Sequence, residues 1–146
     1  MMIKILIALS LLSLLSLNAF AQTAKSKTHH HPTWMTGTWE GTGYQTDDKS
    51  TWTMLLRAHS GKYSISYPSL KCGGEWVVRR LQKNRALFTE RLSYGQEQCQ
   101  NNGRVVIERL NNNQLMFIYR NPGDREATSS AILNRKSDGD PLLQRN

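Results

Sequence analysis

Short runs of alternating apolar and polar residues, separated by turn-forming residues, continue from Trp34 to residue 135. Successive side chains of a β-strand point to opposite faces of a sheet, so a period of two indicates strands with one buried face. The breaks between the runs are rich in Gly, Pro, Asn and Asp, which favour tight turns. Because no run has the period of an amphipathic helix, the pattern predicts an all-β fold.

Eight such runs can be distinguished, at residues 37–45, 50–58, 62–67, 75–81, 86–93, 103–110, 114–120 and 127–135. Eight antiparallel strands with short connections favour a closed up-and-down barrel, since closure removes the free edges of the sheet. A β-sandwich is the alternative. We expect a single domain at residues 34–135 and a frayed polar tail at residues 136–146. Three glycines in the first run predict a bent strand that lies close to its neighbours.

The N-terminal segment has the pattern of a cleaved secretory signal. Lys4 precedes an apolar run at residues 5–17, and Ala19-Phe20-Ala21 places small residues before the expected cut. The run is shorter than the ~20 residues of a membrane-spanning helix, and no later segment approaches that length. We therefore expect a periplasmic or secreted protein that begins near Gln22, has no transmembrane span and carries a flexible leader at residues 22–33.

Cys72 and Cys99 are the only cysteines of the chain. In an oxidising compartment two cysteines are by default a disulfide. The runs at residues 75–81 and 86–93 lie between them, so the bridge would tie a β-hairpin to the loop that follows it. A loop of this size should contribute about 3 to 4 kcal/mol of stability. Two buried thiols are the alternative.

Charge and motifs argue against several classes of function. The net charge is +8, which becomes +7 once Lys4 is removed with the signal, yet no block of five or six like charges is present. Weak attraction to anionic surfaces is expected, but no dedicated nucleic-acid site. His59 is the only histidine of the predicted domain and lies at a turn, so no nucleophile and base pair is evident. We expect no catalytic residues, no metal site and no cofactor.

Gly37-Thr38-Trp39 in the first strand and Arg135 at the end of the last strand resemble the Gly-x-Trp and terminal Arg signature of the lipocalin and avidin superfamily. The resemblance implies that Trp39 packs across one end of the barrel beneath the basic side chain of Arg135.

A second resemblance covers residues 67–119. This span is similar to small extracellular β-domains that occur alone in exported bacterial proteins or on the outer side of bacterial membrane serine/threonine kinases. The matching residues include Tyr67-Pro68-Ser69-Leu70, Cys72-Gly73-Gly74, Trp76, Phe88-Thr89-Glu90-Arg91, Gly95, Cys99, Gly103, Val105 and Tyr119. Neither resemblance implies catalytic residues.

Glu90 lies between Phe88 and Leu92 on an apolar face of its predicted strand. An ionised carboxylate in such a place needs a partner, and Arg79 is the expected one. The hairpin is expected to bring Glu75, Val77 and Arg79 to the same face as Phe88 and Glu90.

Large aromatic rings are numerous for a small barrel and would either fill it or line a pocket. The candidate ligand-binding residues are Trp52, Tyr63, Tyr67, Arg79, Phe88 and Glu90. The expected function is a non-enzymatic exported barrel that binds a small or polymeric ligand. The alternative is a protein-interaction module or inhibitor that acts through its loops. The partner is thus a small molecule, a glycan or a protein, and the oligomeric state is left open.

Overall fold

The computed structural model describes residues 33–137, so the expected signal segment, nearly all of the leader and most of the tail lie outside the described residues. Eight antiparallel strands form a closed barrel in which each strand pairs with the next and β8 pairs with β1. This confirms the predicted barrel, and the sandwich alternative is wrong. The strands are β1 Gly37–Gln45, β2 Thr51–His59, β3 Lys62–Tyr67, β4 Cys72–Leu81, β5 Arg85–Tyr94, β6 Arg104–Arg109, β7 Gln114–Arg120 and β8 Ser129–Arg135.

Two short 3-10 turns accompany the strands, at Thr33–Met35 and Pro68–Leu70. The second turn follows directly from the end of β3, where Pro68 has no N–H to donate to a β-ladder. Strand β4 begins at Cys72, earlier than predicted, because Gly73 and Gly74 also pair with β5. In the described residues no helix is both long and apolar enough to cross a membrane.

Strand β1 closes the barrel by pairing with β2 on one side and β8 on the other. Its glycines permit this close approach, as the sequence predicted. A Cβ atom added at Gly41 would lie 2.3 Å from the Ile132 carbonyl oxygen, and one at Gly43 would lie 2.3 Å from the Trp52 indole. A larger residue at either position would therefore push the neighbouring strand or ring away.

One end of the barrel is plugged around Trp39. The indole is 0% exposed and its Nε1 donates to the Met35 carbonyl oxygen at 2.8 Å. Arg135 stacks on the ring, with Cζ 4.0 Å from the ring centroid, as expected from the resemblance. The same guanidinium donates to the carbonyl oxygens of Thr36 at 2.6 Å and Trp34 at 3.3 Å. Arg135 thus holds the N-terminal 3-10 turn across what we call the plugged end.

The interior next to the plugged end is filled by packed side chains. Phe88 contacts Tyr63, with ring centroids 4.9 Å apart, and Trp76, at 5.6 Å. Trp76 also stacks on Phe117, at 5.7 Å and an interplanar angle of 14°. Aromatic contacts of this kind add stabilisation beyond the area that they bury. This part of the barrel is therefore a solid core.

The disulfide joins Cys72 at the start of β4 to Cys99 in the loop between β5 and β6, with the two Cα atoms 6.4 Å apart. The bridge ties the β4–β5 hairpin to the loop that follows it, which confirms the prediction. Leu92 also holds this loop, because its N–H donates to the Asn101 side chain at 2.9 Å.

Candidate functional site

A cavity of about 250 Å³ lies inside the other end of the barrel, which we call the open end. It is reached between the β1–β2, β5–β6 and β7–β8 loops, because these loops contribute to its lining. The lining residues are Gln45, Asp47, Asp48, Ser50, Trp52, Tyr67, Leu70, Glu90, Gln98, Cys99, Gln100, Phe117, Tyr119, Asn121 and Ser129. The barrel is thus neither wholly filled nor wholly hollow.

Aromatic side chains form the walls of this cavity. They are brought there by strand alternation, since every second residue near the open end of β2, β3 and β7 points inward. Trp52 meets Tyr67 edge to face at 5.2 Å and Phe117 at 5.9 Å between ring centroids. Tyr119 follows Phe117 on the same face of β7, and its hydroxyl donates to the Gln100 carbonyl oxygen at 2.9 Å. The walls are therefore held by ring packing and by a bond to the β5–β6 loop.

Glu90 is the charged group at the base of the cavity. It is only 2% exposed. The Tyr67 hydroxyl donates to its Oε2 atom, and the Trp76 indole Nε1 donates to the same oxygen at 2.9 Å. Oε1 receives no hydrogen bond from any residue within 33–137. One carboxyl oxygen is thus fully engaged by the protein, while the other has bonding capacity left.

Burial dominates the electrostatics of this cluster. Removal from water raises the pKa of Glu90, although the hydrogen bonds from Tyr67 and Trp76 act in the opposite direction. The pKa of the Tyr67 hydroxyl is raised well above its usual range, first by burial and then by the neighbouring Glu90 charge. Burial, followed by the Glu90 charge, also raises the pKa of Tyr119. Both tyrosines therefore stay protonated and available as donors.

The expected Glu90–Arg79 pair is wrong. Arg79 is on the outer surface, where its Nε donates to the Thr89 hydroxyl at 2.8 Å. Among the residues that the structure describes, no Lys or Arg forms a salt bridge with Glu90. The buried carboxyl is satisfied instead by the two neutral donors, Tyr67 and Trp76.

A bulge in β4 explains the error. Near the hairpin turn Arg80 pairs with Leu87, a register that would continue as Arg79 opposite Phe88. The register shifts between Val78 and Arg80, so that Val78 lies opposite Phe88 instead. One extra residue moves every preceding side chain of the strand to the other face.

The shift therefore also corrects the predicted shared face. Trp76 lies opposite Glu90 and points inward, whereas Glu75 and Val77 pair with Arg91 and Thr89 and do not share the inner face. The sequence had placed Glu75 and Val77 beside Glu90 for the same reason as Arg79.

The remaining candidate residues are all buried, but they divide between two regions. Trp52, Tyr67 and Glu90 line the cavity. Tyr63 and Phe88 pack against each other and do not appear in its lining.

Three aromatic residues of the site were not among the sequence candidates. Trp76 binds Glu90 directly, and Phe117 and Tyr119 line the cavity. Their aromatic character at alternating positions was a signal, but it did not separate residues near the open end from the solid core.

The cavity mouth carries two further carboxylates. Asp47 and Asp48 lie in the β1–β2 turn, and both side chains accept backbone hydrogen bonds there. The pKa of Asp48 is lowered, mainly by its hydrogen bonds with Ser50. No Lys or Arg belongs to the part of the lining that the structure describes. Among residues 33–137 the cavity lining thus has three acidic side chains and no basic one, in a protein of net charge +8.

Comparisons with protein-family models, with curated proteins and with solved structures find no match to this chain. The fold and the site define a class: a small closed antiparallel barrel with one plugged end, one open end and an internal cavity.

Proposed function

We propose that this protein is an exported, non-enzymatic barrel that binds a small ligand in the open-end cavity. The observation that carries the proposal is a concave site with aromatic walls and a buried carboxyl at its base. Ligand sites typically combine such apolar walls with a few convergent polar groups. The volume of about 250 Å³ lies just below the range of roughly 300 to 1,000 Å³ for drug-sized ligands, which favours a small molecule or the end of a polymer.

The arrangement of the two ends supports a binding protein of the lipocalin type. The Trp39–Arg135 stack blocks one end, so a ligand would enter only from the other. His59 lies at the end of β2 next to the plugged end, whereas Trp52 at the beginning of β2 lines the cavity. The one histidine of the domain is therefore remote from the site, which favours binding over catalysis.

Two observations support export. The disulfide between Cys72 and Cys99 is typical of proteins in oxidising compartments. The N-terminal segment has the composition of a secretory signal. Together they favour a periplasmic or secreted protein.

The alternative of a protein-interaction module is supported by one feature of the outer surface. A groove of about 210 Å³ crosses β2 to β5, and Tyr94, 51% exposed, forms part of it. Tyrosine is enriched at protein interfaces because it offers a large contact surface and a hydroxyl. This groove lies outside the barrel, so the two candidate functions involve different surfaces.

A fragment screen by protein-observed NMR tests the proposal. Binders should shift the signals of cavity residues such as Trp52 and Tyr119, and not those of Ser64 and Tyr94 in the outer groove. Gln98→Trp at the cavity mouth should abolish the shifts. The matched control is Gln82→Trp, which adds the same ring on an exposed turn beside the plugged end. Binders that shift only groove residues, or that bind Gln98→Trp and the parent protein with equal affinity, would contradict binding in the cavity. Either result would indicate the outer groove as the functional surface.

A further inference from the structure

We infer that the ligand of the open-end cavity is a small organic cation, an ammonium compound whose N–H group donates to Oε1 of Glu90. The inference rests on the proposed function, since it names the chemical class that the same cavity takes. It follows from the hydrogen bonding of Glu90, from the aromatic walls and from the charges at the mouth.

The hydrogen bonding of Glu90 is incomplete on the cavity side. Both protein donors, Tyr67 and Trp76, are on Oε2, and within the described residues Oε1 has none. A carboxylate has about four acceptor positions, so Oε1 can accept further hydrogen bonds. Among the described residues Trp34 Nε1 is the one buried side-chain polar atom without a partner, so Oε1 is not sealed in the core; Glu90 lines the cavity, and a donor bound there can reach it.

A positively charged partner would suit this carboxyl better than a neutral one. Ionising a buried carboxyl costs several kcal/mol in desolvation, and a cation beside it offsets part of that cost. The part of the chain that the structure describes supplies no such cation, because its two salt bridges, Arg85–Glu108 and Lys136–Glu40, are both at the surface. A ligand ammonium group would provide both the hydrogen-bond donor and the counter-charge.

The walls fit the same class of ligand. Four aromatic side chains line the cavity, and they are Trp52, Tyr67, Phe117 and Tyr119. The faces of such rings attract ammonium groups, most strongly when water is excluded. The rings also accommodate an apolar or aromatic body attached to the nitrogen.

The charged residues that line the mouth are acidic; Lys49 of the same turn donates to the Thr46 carbonyl oxygen at 2.9 Å and is not part of the lining. Asp47 and Asp48 line the mouth, and hydrogen bonding lowers the pKa of Asp48 and so keeps it ionised. Carboxylates at the entrance of a low-dielectric cavity attract cations and repel anions. The overall charge of +8 favours anions, so the local arrangement opposes the charge of the whole protein.

Three probes that share a phenyl ring and a short chain test the inference. They are 2-phenylethylammonium, neutral 2-phenylethanol and anionic 3-phenylpropanoate, titrated by calorimetry into the mature, disulfide-bonded protein at neutral pH. A hydrogen bond between charged groups should make the cation bind about 10 to 100 times more tightly than the alcohol. The anion should bind more weakly than either.

Glu90→Gln should weaken binding of the cation by about 10 to 100 times and change binding of the alcohol by less than about threefold. Glutamine retains an acceptor for Tyr67 and Trp76. The matched control is Glu75→Gln, which removes an exposed carboxylate on the outer face of β4 and should leave all affinities unchanged. Should Glu90→Gln not fold, Asp47→Asn with Asp48→Asn at the exposed turn provides a second test, with a loss of several-fold for the cation alone.

Equal or tighter binding of the alcohol or the anion would overturn the inference and leave the proposed function intact. Failure of the cation to bind the parent protein would also overturn it, and the fragment screen would then decide separately whether the cavity binds anything.

Discussion

Replacement of Glu90 by Gln should change how the stability of the barrel depends on pH. Burial raises the pKa of this carboxyl above its ordinary value of 4.5, so the folded protein keeps a proton that the unfolded chain has already released. The stability from the protonated form is complete below pH 4.5 and is lost as the pH rises through the raised pKa. Glutamine has the shape of the protonated acid but does not titrate, so the variant should lack this loss.

The magnitude follows from two opposing effects at Glu90. Removing the ionised group from water costs several kcal/mol in a real protein. Hydrogen bonds from Tyr67 and Trp76 offset part of this desolvation cost, because each bond is stronger by about 1 kcal/mol when its acceptor is charged. The net loss of stability between pH 4.5 and neutrality is the part of the desolvation cost that the two hydrogen bonds do not offset. Its slope is limited to about 1.4 kcal/mol per pH unit, because a single proton is involved.

Urea unfolding at a series of pH values from 4 to 8 measures this effect. The difference between the free energies of unfolding of Glu90→Gln and the parent protein should increase with pH in favour of the variant. The contributions of all other titratable groups are common to both proteins and cancel in this difference. Glu75→Gln, which removes an exposed carboxylate, should give a flat difference. A difference for Glu90→Gln that does not change with pH would refute burial as the dominant influence on the pKa of Glu90. So would a parent protein that becomes more stable relative to the variant as the pH rises.

Three further predictions concern the fold and its maturation. Trp39→Ala should lose about 3 to 5 kcal/mol in chemical denaturation, because the indole is 0% exposed at the plugged end; a loss below about 1 kcal/mol would show that the end can collapse or is not needed. Native protein from an oxidising compartment should contain no free thiol, and the double change Cys72→Ala with Cys99→Ala should cost about 2 to 5 kcal/mol; two titratable thiols would contradict the bridge. Mass spectrometry of the exported protein should place its N-terminus near Gln22, and recovery of the full-length chain would argue against cleavage.

Much of the fold could be predicted because turn signals and strand alternation agree along the chain. The bounds predicted for β1, β3 and β7 agree with the structure. Each of these strands is flanked by residues that interrupt or turn a chain, such as Gly61 before β3, Pro68 after it and Asn113 before β7. The short connections then left few alternatives to sequential antiparallel pairing.

The candidate site was predictable only in part, and the reason is a single residue in β4. The bulge near Arg79 has neither Gly nor Pro beside it, so the local sequence gives no sign of it. A count of alternation from the hairpin turn therefore placed Arg79 on the inner face, which gave Glu90 the wrong partner. The sequence also could not predict which inward-facing rings fill the core and which line the cavity, since this depends on how deeply each ring packs.

The pairing of β1 with β8 has a consequence for the order of events in folding. Trp39 pairs with Arg135, so the barrel closes through contacts between residues at opposite ends of the described chain. Contacts of such long sequence separation form slowly, because the entropy of closing the intervening chain is lost before they are gained. Strand β8 also supplies the guanidinium that holds the N-terminal 3-10 turn in place. A chain whose last strand has not yet left the ribosome can form hairpins, but it can neither plug one end nor close the sheet.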